Sequence, residues 1–320
     1  MPDPRFDVTT IGEMMLRLSL PSGERLEMAT RLDAFPAGAE SNVVSLLSRL
    51  GRSTRWVGAL PENPLGRLAA NHLRLANVDL GGIVWSTDGR LGTYYVEFGA
   101  PPRGIQVTYD RAGSCATTLL PDQLDWDALL DTRLLHLTGI TPALSPSCHE
   151  LVVTALRLAA QRNIPVSFDV NYRKKLWSET QASAILSPLL AGVELVFCSA
   201  RDAARLFHCE GAPQQAASAL LERTGAKHLV LTAGEQGAWL WDGEAWLHEA
   251  ARPTQIIDRL GAGDALAGGV LHGFLDGDLA AGLRYGVTLA ALALSQHGDM
   301  LVTNQAELLA LSHGSSTLAR

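Results

Sequence analysis

The chain has 320 residues, 47% of them hydrophobic and 18% charged, with a formal net charge of −7. That is ordinary globular composition, with enough chain for one or two domains. An acidic balance without any Lys/Arg cluster excludes a surface that tracks nucleic acid, and no segment reads as a bilayer span.

Elements follow in chain order. The opening MPDPRFDVTTIGE lacks an apolar run of leader length, and Phe6 to Gly12 reads as a strand. Residues 14–35 (MMLRLSL-PSG-ERLEMATRL) read as a hairpin. Ser41 to Leu50 carries apolar residues at helical spacing and stops at Gly51. A second hairpin spans 91–110 (GTYYVEF-GAPPRG-IQVTYD). Strands at 134–137, 165–169, 194–198 and 228–231 then alternate with helical patterns at 146–161, 178–190, 200–207 and 213–224. The alternation predicts a mostly parallel sheet covered by helices. The hairpins break that order, so they are expected to form a small lid sheet (14–35 and 91–110) over an α/β core of 1–13, 36–90 and 111–320. The tail from Ser312 to Arg320 is expected to be disordered. The four cysteines (115, 148, 198, 209) show no CxxC or zinc-finger spacing, which fits a reducing, cytoplasmic setting.

The chemistry gathers at strand ends, where open α/β sheets bind ligands. Strand 165–169 runs into Asp169-Val170-Asn171-Tyr172-Arg173. Strand 194–198 runs into Ser199 and Asp202, strand 228–231 into Thr232-Ala233-Gly234 and then Gly237, and strand 134–137 into Thr138-Gly139. Each alone could be a helix cap or a turn residue. The run Asp258-Arg259-Leu260-Gly261-Ala262-Gly263-Asp264 reads as a tight turn opening a small-residue helix over 266–275. Unpartnered N–H groups and the helix dipole make such a turn an anion site. A carboxylate there is repulsive to phosphate unless it has a task, and taking the proton from an attacking hydroxyl is one. The plain alternative is an ordinary first-turn acid.

Three segments resemble the ribokinase-like (PfkB) sugar kinases. Gly261-Ala262-Gly263-Asp264 looks like that family's C-terminal signature. Ala37-Gly38-Ala39-Glu40-Ser41-Asn42 looks like its N-terminal one, and Leu231 to Gly237 looks like its nucleotide-side segment. GAESN (38–42), HLTGITPALSP (136–146) and DVNYRKKLW (169–177) are most similar to 2-keto-3-deoxygluconate kinases. The resemblance implies a Rossmann-like core with a β-sheet lid, ATP and Mg²⁺, and transfer of the γ-phosphoryl group to a sugar acid. It implies Asp264 as the base and the N–H groups of Gly261, Ala262 and Gly263 as the anion hole. It places Gly38, Asn42, Tyr94, Tyr109, Arg111 and Arg173 on the sugar, and Ser199, Thr232, Gly234 and Gly237 on the nucleotide. A homo-oligomer, built as a dimer through the lid, is also implied. Independently, Arg is well shaped to hold a carboxylate through two hydrogen bonds, though a solvated surface arginine is the commoner fate. Tyr94 and Tyr95 must face opposite ways on a strand, and the resemblance picks Tyr94 as the inward one.

Five positions depart from the pattern. Ala37 replaces the first Gly of the Gly-Gly turn, Arg259 stands where Thr is usual, and Val287 stands where an Asn often lies beside the base. Ser199-Ala200-Arg201-Asp202 replaces Asn-x-x-Glu, leaving Asp202 as the Mg²⁺-side carboxylate. Two other functions stay open beside the sugar-acid kinase: a kinase of fructose, ribose, a nucleoside or 2-keto-3-deoxygalactonate, and a sugar or nucleotide sensor. A dinucleotide dehydrogenase ranks last, because no G-x-G-x-x-G follows the first strand.

Overall fold

A computed structural model describes residues 3–99 and 102–313. The tip of the second hairpin (100–101) and the tail beyond 313 lie outside them. The strands are β1 (Phe6–Ile11), β2 (Met15–Ser19), β3 (Asp33–Ala37), β4 (Thr54–Pro61), β5 (Asp79–Ser86), β6 (Gly92–Glu97), β7 (Gln106–Asp110), β8 (Thr132–Thr138), β9 (Val166–Asp169), β10 (Leu195–Ser199), β11 (His228–Thr232), β12 (Ala238–Trp241) and β13 (Trp246–Glu249). The helices are α1 (Ala39–Arg49), α2 (Pro64–Leu75), α3 (Trp126–Leu129), α4 (Pro146–Gln161), α5 (Glu179–Leu190), α6 (Ala200–Phe207), α7 (Pro213–Thr224), α8 (Ala262–Leu275), α9 (Leu279–Leu294) and α10 (Gln305–Ser312).

Nine strands form one sheet in the order β13-β12-β11-β10-β9-β8-β1-β4-β5. The run from β11 to β5 is parallel, and β12 and β13 add an antiparallel hairpin at one edge. Strand residues alternate between two cores, as the strand period of two requires. Leu135, Leu137, Leu229 and Leu231 pack with α4–α7, while Leu134 and Val230 pack with α1, α2, α8 and α9. Both faces are therefore covered by helices, the arrangement expected for parallel strands.

The polar strand ends gather on one rim because the strands run the same way. Thr138 lies opposite Asp169 in the register, and Ser199 lies opposite Thr232. Local chemistry starts the helices at that rim. Ser199 Oγ accepts from the Asp202 amide at 3.0 Å and caps α6, and Ser145 caps α4 in the same way just before Pro146.

The remaining strands form a second sheet, β3-β2-β6-β7. The two hairpins are antiparallel internally, and a parallel β2–β6 pairing joins them. The first hairpin closes differently from the sequence expectation. Its return strand is Asp33–Ala37, not the stretch from residue 24 to 32. Leu26–Met28 instead forms a 3₁₀ turn, held by Glu97, which accepts from the Leu26 amide at 2.9 Å. Across one face of this sheet, Phe35, Arg17, Tyr94 and Tyr109 lie side by side in register. Tyr94 is buried and Tyr95 half-exposed, so the two face opposite ways.

Candidate active site

The 258–264 turn meets the rim where β9, β10 and β11 end. Gly261 is the N-cap of α8 at φ +82°, a left-handed backbone that side chains rarely adopt. A Cβ there would also lie 2.2 Å from the Asp299 carbonyl oxygen. Glycine is thus required twice over. Gly263 faces open space and is exposed, so an anion can approach the first turn of α8 from outside. Asp264 follows on the same turn and is buried. Its Oδ2 accepts from Asn42 Nδ2 at 2.7 Å, and Asn42 Oδ1 is buried with no partner.

Two cavities meet at this turn. One, of about 260 Å³, is lined by Asp169, Arg173, Ser199, Asp202 and Asp264 among others. The other is a groove of about 540 Å³ bounded by Thr232, Gly234, Gly237, Ile256, Val287 and Ala290. Arg259, Gly263 and Leu266 border both. A polar chamber thus adjoins a larger, more apolar groove, with the N-terminus of α8 between them.

The description of pfkB family carbohydrate kinases matches residues 5–306. The chain belongs to that family. It is 37% identical over 303 residues to a 2-dehydro-3-deoxygalactonokinase of Haloferax volcanii, covering 94% of this chain and 95% of the relative. The crystal structure of a 2-dehydro-3-deoxygluconokinase from Thermotoga maritima superposes with a TM-score of 0.92 at 31% identity, covering 97% of this chain and 98% of that one. An E. coli chain designated ribokinase II, in complex with ATP and Mg²⁺, shares the fold at 21% identity and a TM-score of 0.88, covering 96% and 99%.

The electrostatics of this carbohydrate kinase centre on three acids. Burial pushes the Asp264 carboxyl up to about 7. The Asn42 hydrogen bond and Arg173 pull it down, and Asp299 and Glu40 add to the rise. Burial, together with the Asp264 charge, pushes Asp169 up to about 8. Asp202 is raised by burial, against its hydrogen bond with Ser199 and the nearby arginines. Arg173 is half-buried and has no acidic partner within ion-pair distance among the described residues. Its Nη1 donates to the Tyr172 and Asn171 carbonyls at 3.2 and 3.4 Å.

The structure brings together Asp264, Gly261, Ala262, Gly263, Asn42, Arg173, Ser199, Asp202, Thr232, Gly234 and Gly237 as the sequence predicts. Gly38 caps α1 close by, where a Cβ would lie 2.3 Å from the Glu13 carbonyl oxygen. Three residues differ from the expectation of an open sugar contact. Arg111 is buried and its guanidinium donates to Glu13 Oε2, with Ser114 holding the other Glu13 oxygen at 2.6 Å. Its buried Nε has no partner. Tyr94 gives its hydroxyl to Asp299 at 2.5 Å. Tyr109 packs beside Tyr94, between Arg111 and Lys175, whose Nζ donates to the Val107 carbonyl.

Sequence reasoning missed Glu13, Arg17, Asp299 and any role for Glu40. Glu40 is buried, and one of its oxygens accepts from Thr138 and Thr141 at 2.7 Å each. Its place inside GAESN was the only available signal. The four cysteines are free and buried, and no described helix is long and apolar enough to cross a membrane.

Proposed function

We propose that this enzyme transfers the γ-phosphoryl group of ATP to 2-keto-3-deoxygluconate (2-dehydro-3-deoxygluconate), giving 2-keto-3-deoxy-6-phosphogluconate in the cytoplasm. The observation that carries the reading is Asp264. It is a buried acid on the first turn of a helix whose open N-terminus suits a phosphate, beside a chamber walled by an arginine without an acidic partner.

The ATP phosphates lie over the Gly261, Ala262 and Gly263 amides, with the base in the groove past Thr232, Gly234, Gly237 and Val287. The sugar acid lies between the chamber and the small sheet, whose residues 14–35 and 91–110 act as a lid. Its carboxylate meets Arg173, and Arg111 contributes through its free Nε. Buried Asn42 Oδ1, which has no partner, offers an acceptor to a sugar hydroxyl. Gly38, at the start of α1, borders the sugar. Asp264 takes the hydroxyl proton as the oxygen attacks, while the helix N-terminus stabilises the transferred charge. The lid keeps water out and so limits idle hydrolysis of ATP.

Hard carboxylate oxygens at Asp202 and Asp169 fit Mg²⁺. Mg²⁺ usually keeps several waters, so phosphates and water would complete its shell. Bound there, it would neutralise phosphoryl charge. The outer face of the small sheet, with Tyr95 half-exposed, is where a homodimer would form.

A second reading, 2-keto-3-deoxygalactonate as substrate, is favoured by the Haloferax volcanii relative. ADP release with ATP and Mg²⁺ decides between them, using both sugar acids, fructose, ribose and a no-sugar control. Turnover confined to the gluconate-type acid is expected. Preference for its C4 epimer selects the second reading, a neutral sugar overturns the carboxylate argument, and silence throughout favours a sensor.

A further inference from the structure

A buried charged cluster outside the reacting groups lies beneath the phosphate turn. Arg17, on β2 of the small sheet, is fully buried. Its Nη2 donates to Asp258 Oδ2 at 2.5 Å, its Nη1 to Asp299 Oδ1 at 2.7 Å and its Nε to Ser19 at 2.8 Å. The guanidinium carbon sits over the Phe35 ring at 5.4 Å and the Phe98 ring at 5.2 Å. Each of its three nitrogens therefore has an acceptor, and two rings lie beside its plane.

Both acids reach the turn. Asp258 is its first residue, and its Oδ1 accepts from the Leu260 amide at 3.0 Å. Asp258 Oδ2 also accepts from the Gly298 amide at 3.3 Å. Asp299 takes the Tyr94 hydroxyl on its other carboxylate oxygen, and its carbonyl is the atom that packs against Gly261. One side chain of the small sheet thus grips both segments that shape the anion hole. A lone cover over the substrate would need none of this. Two buried carboxylates with no cation between them would repel each other and draw in water, and the turn would lose its shape.

We infer that Arg17 is a positioning residue for phosphoryl transfer: the small sheet sets the geometry of the 258–264 turn through the Arg17–Asp258–Asp299–Tyr94 network. The inference rests on the reading of 261–264 as the phosphate turn. Arg17 touches no reacting atom, so its loss should slow the chemical step while leaving nucleotide binding largely intact. Lysine cannot span two carboxylates as the planar guanidinium does, so Arg17→Lys should recover only part of the loss.

The test uses Arg17→Met and Arg17→Lys in the full chain, with two readouts. The first is amide hydrogen exchange, which needs no sugar. Faster exchange confined to residues 259–264 and 298–300, with β9–β11 unchanged, is expected. The second is steady-state kinetics with the sugar acid that the wild type turns over. kcat should fall on the order of 10²-fold for Arg17→Met, as small misplacements of a catalytic constellation do, with KM for ATP little changed. Arg17→Lys should lie between that variant and wild type. Unchanged kcat, or exchange accelerated evenly across the chain, would overturn the proposal and make Arg17 a stability residue only. Should Arg17→Met not fold, Tyr94→Phe removes a single hydrogen bond from the same network and must raise exchange at 259–264. A wild type silent with every sugar would sink the proposed substrate, but the exchange result would still decide this inference.

Discussion

Asp258 and Asp264 stand at the two ends of one turn, and both are buried. Their surroundings differ sharply. Asp258 meets a guanidinium and two backbone amides, so its oxygens are saturated by donors. Asp264 meets one neutral amide donor, from Asn42, with Arg173 only near it. The first acid is held in a network that shapes the turn. The second keeps a free oxygen and an affinity for protons raised to about 7. Burial alone does not make an acid reactive; the count and charge of its partners matter as much.

The contrast breaks most directly at Asp264. Asp264→Asn should cut turnover on the order of 10²-fold or more with little change in either KM, since only the proton acceptor is lost. Near-normal turnover would put the base elsewhere. At the other end, Asp258→Ala leaves Arg17 facing a single acid. Breaking a buried pair costs about 3–5 kcal/mol, so denaturant or thermal unfolding should show a large loss of stability. A loss smaller than that of a surface substitution would refute the scaffold role. Arg173→Ala should raise KM for the sugar acid on the order of tenfold while sparing ATP, because Arg173 lines the chamber and not the groove. Equal effects on both substrates would make that arginine structural or nucleotide-facing.

The smallest effect concerns stability. The folded pKa of Asp264 lies above its ordinary value, so the folded state holds the extra proton between about 4 and 7. Stability contributed by that proton is lost as pH rises through this window. A neutral asparagine escapes the penalty. Asp264→Asn should therefore melt on the order of a few degrees higher than wild type at pH 8, and the gain should vanish near pH 4. Thermal melts at both pH values check this.

The same pair marks what could be read from the sequence. Asp264 was legible because Gly261-Ala262-Gly263-Asp264 is a local signal, and the rim residues were legible because each follows an apolar strand run directly. Helices α4–α7 were legible from periodicity and caps. β4 was not singled out: all of Thr54–Pro61 is buried, so the chain shows no alternation there. The return strand of the first hairpin was misplaced because a 3₁₀ turn interrupts it. Arg17 read only as one residue of a strand. Its partner Asp299 lies 282 positions away, and no local pattern carries such a pairing. Arg111 was expected to be open because Glu13, 98 positions earlier, gave no sign of meeting it.

The central claim is that burial poises Asp264 as the base, and the pH dependence of kcat/KM tests it most directly. The base acts only when deprotonated, and its free-enzyme value is held up to about 7. kcat/KM should therefore be level above pH 7 and fall about tenfold per unit below it, with the acid limb abolished in Asp264→Asn. A profile that stays flat down to about pH 5, near the ordinary carboxylate range, would contradict the account.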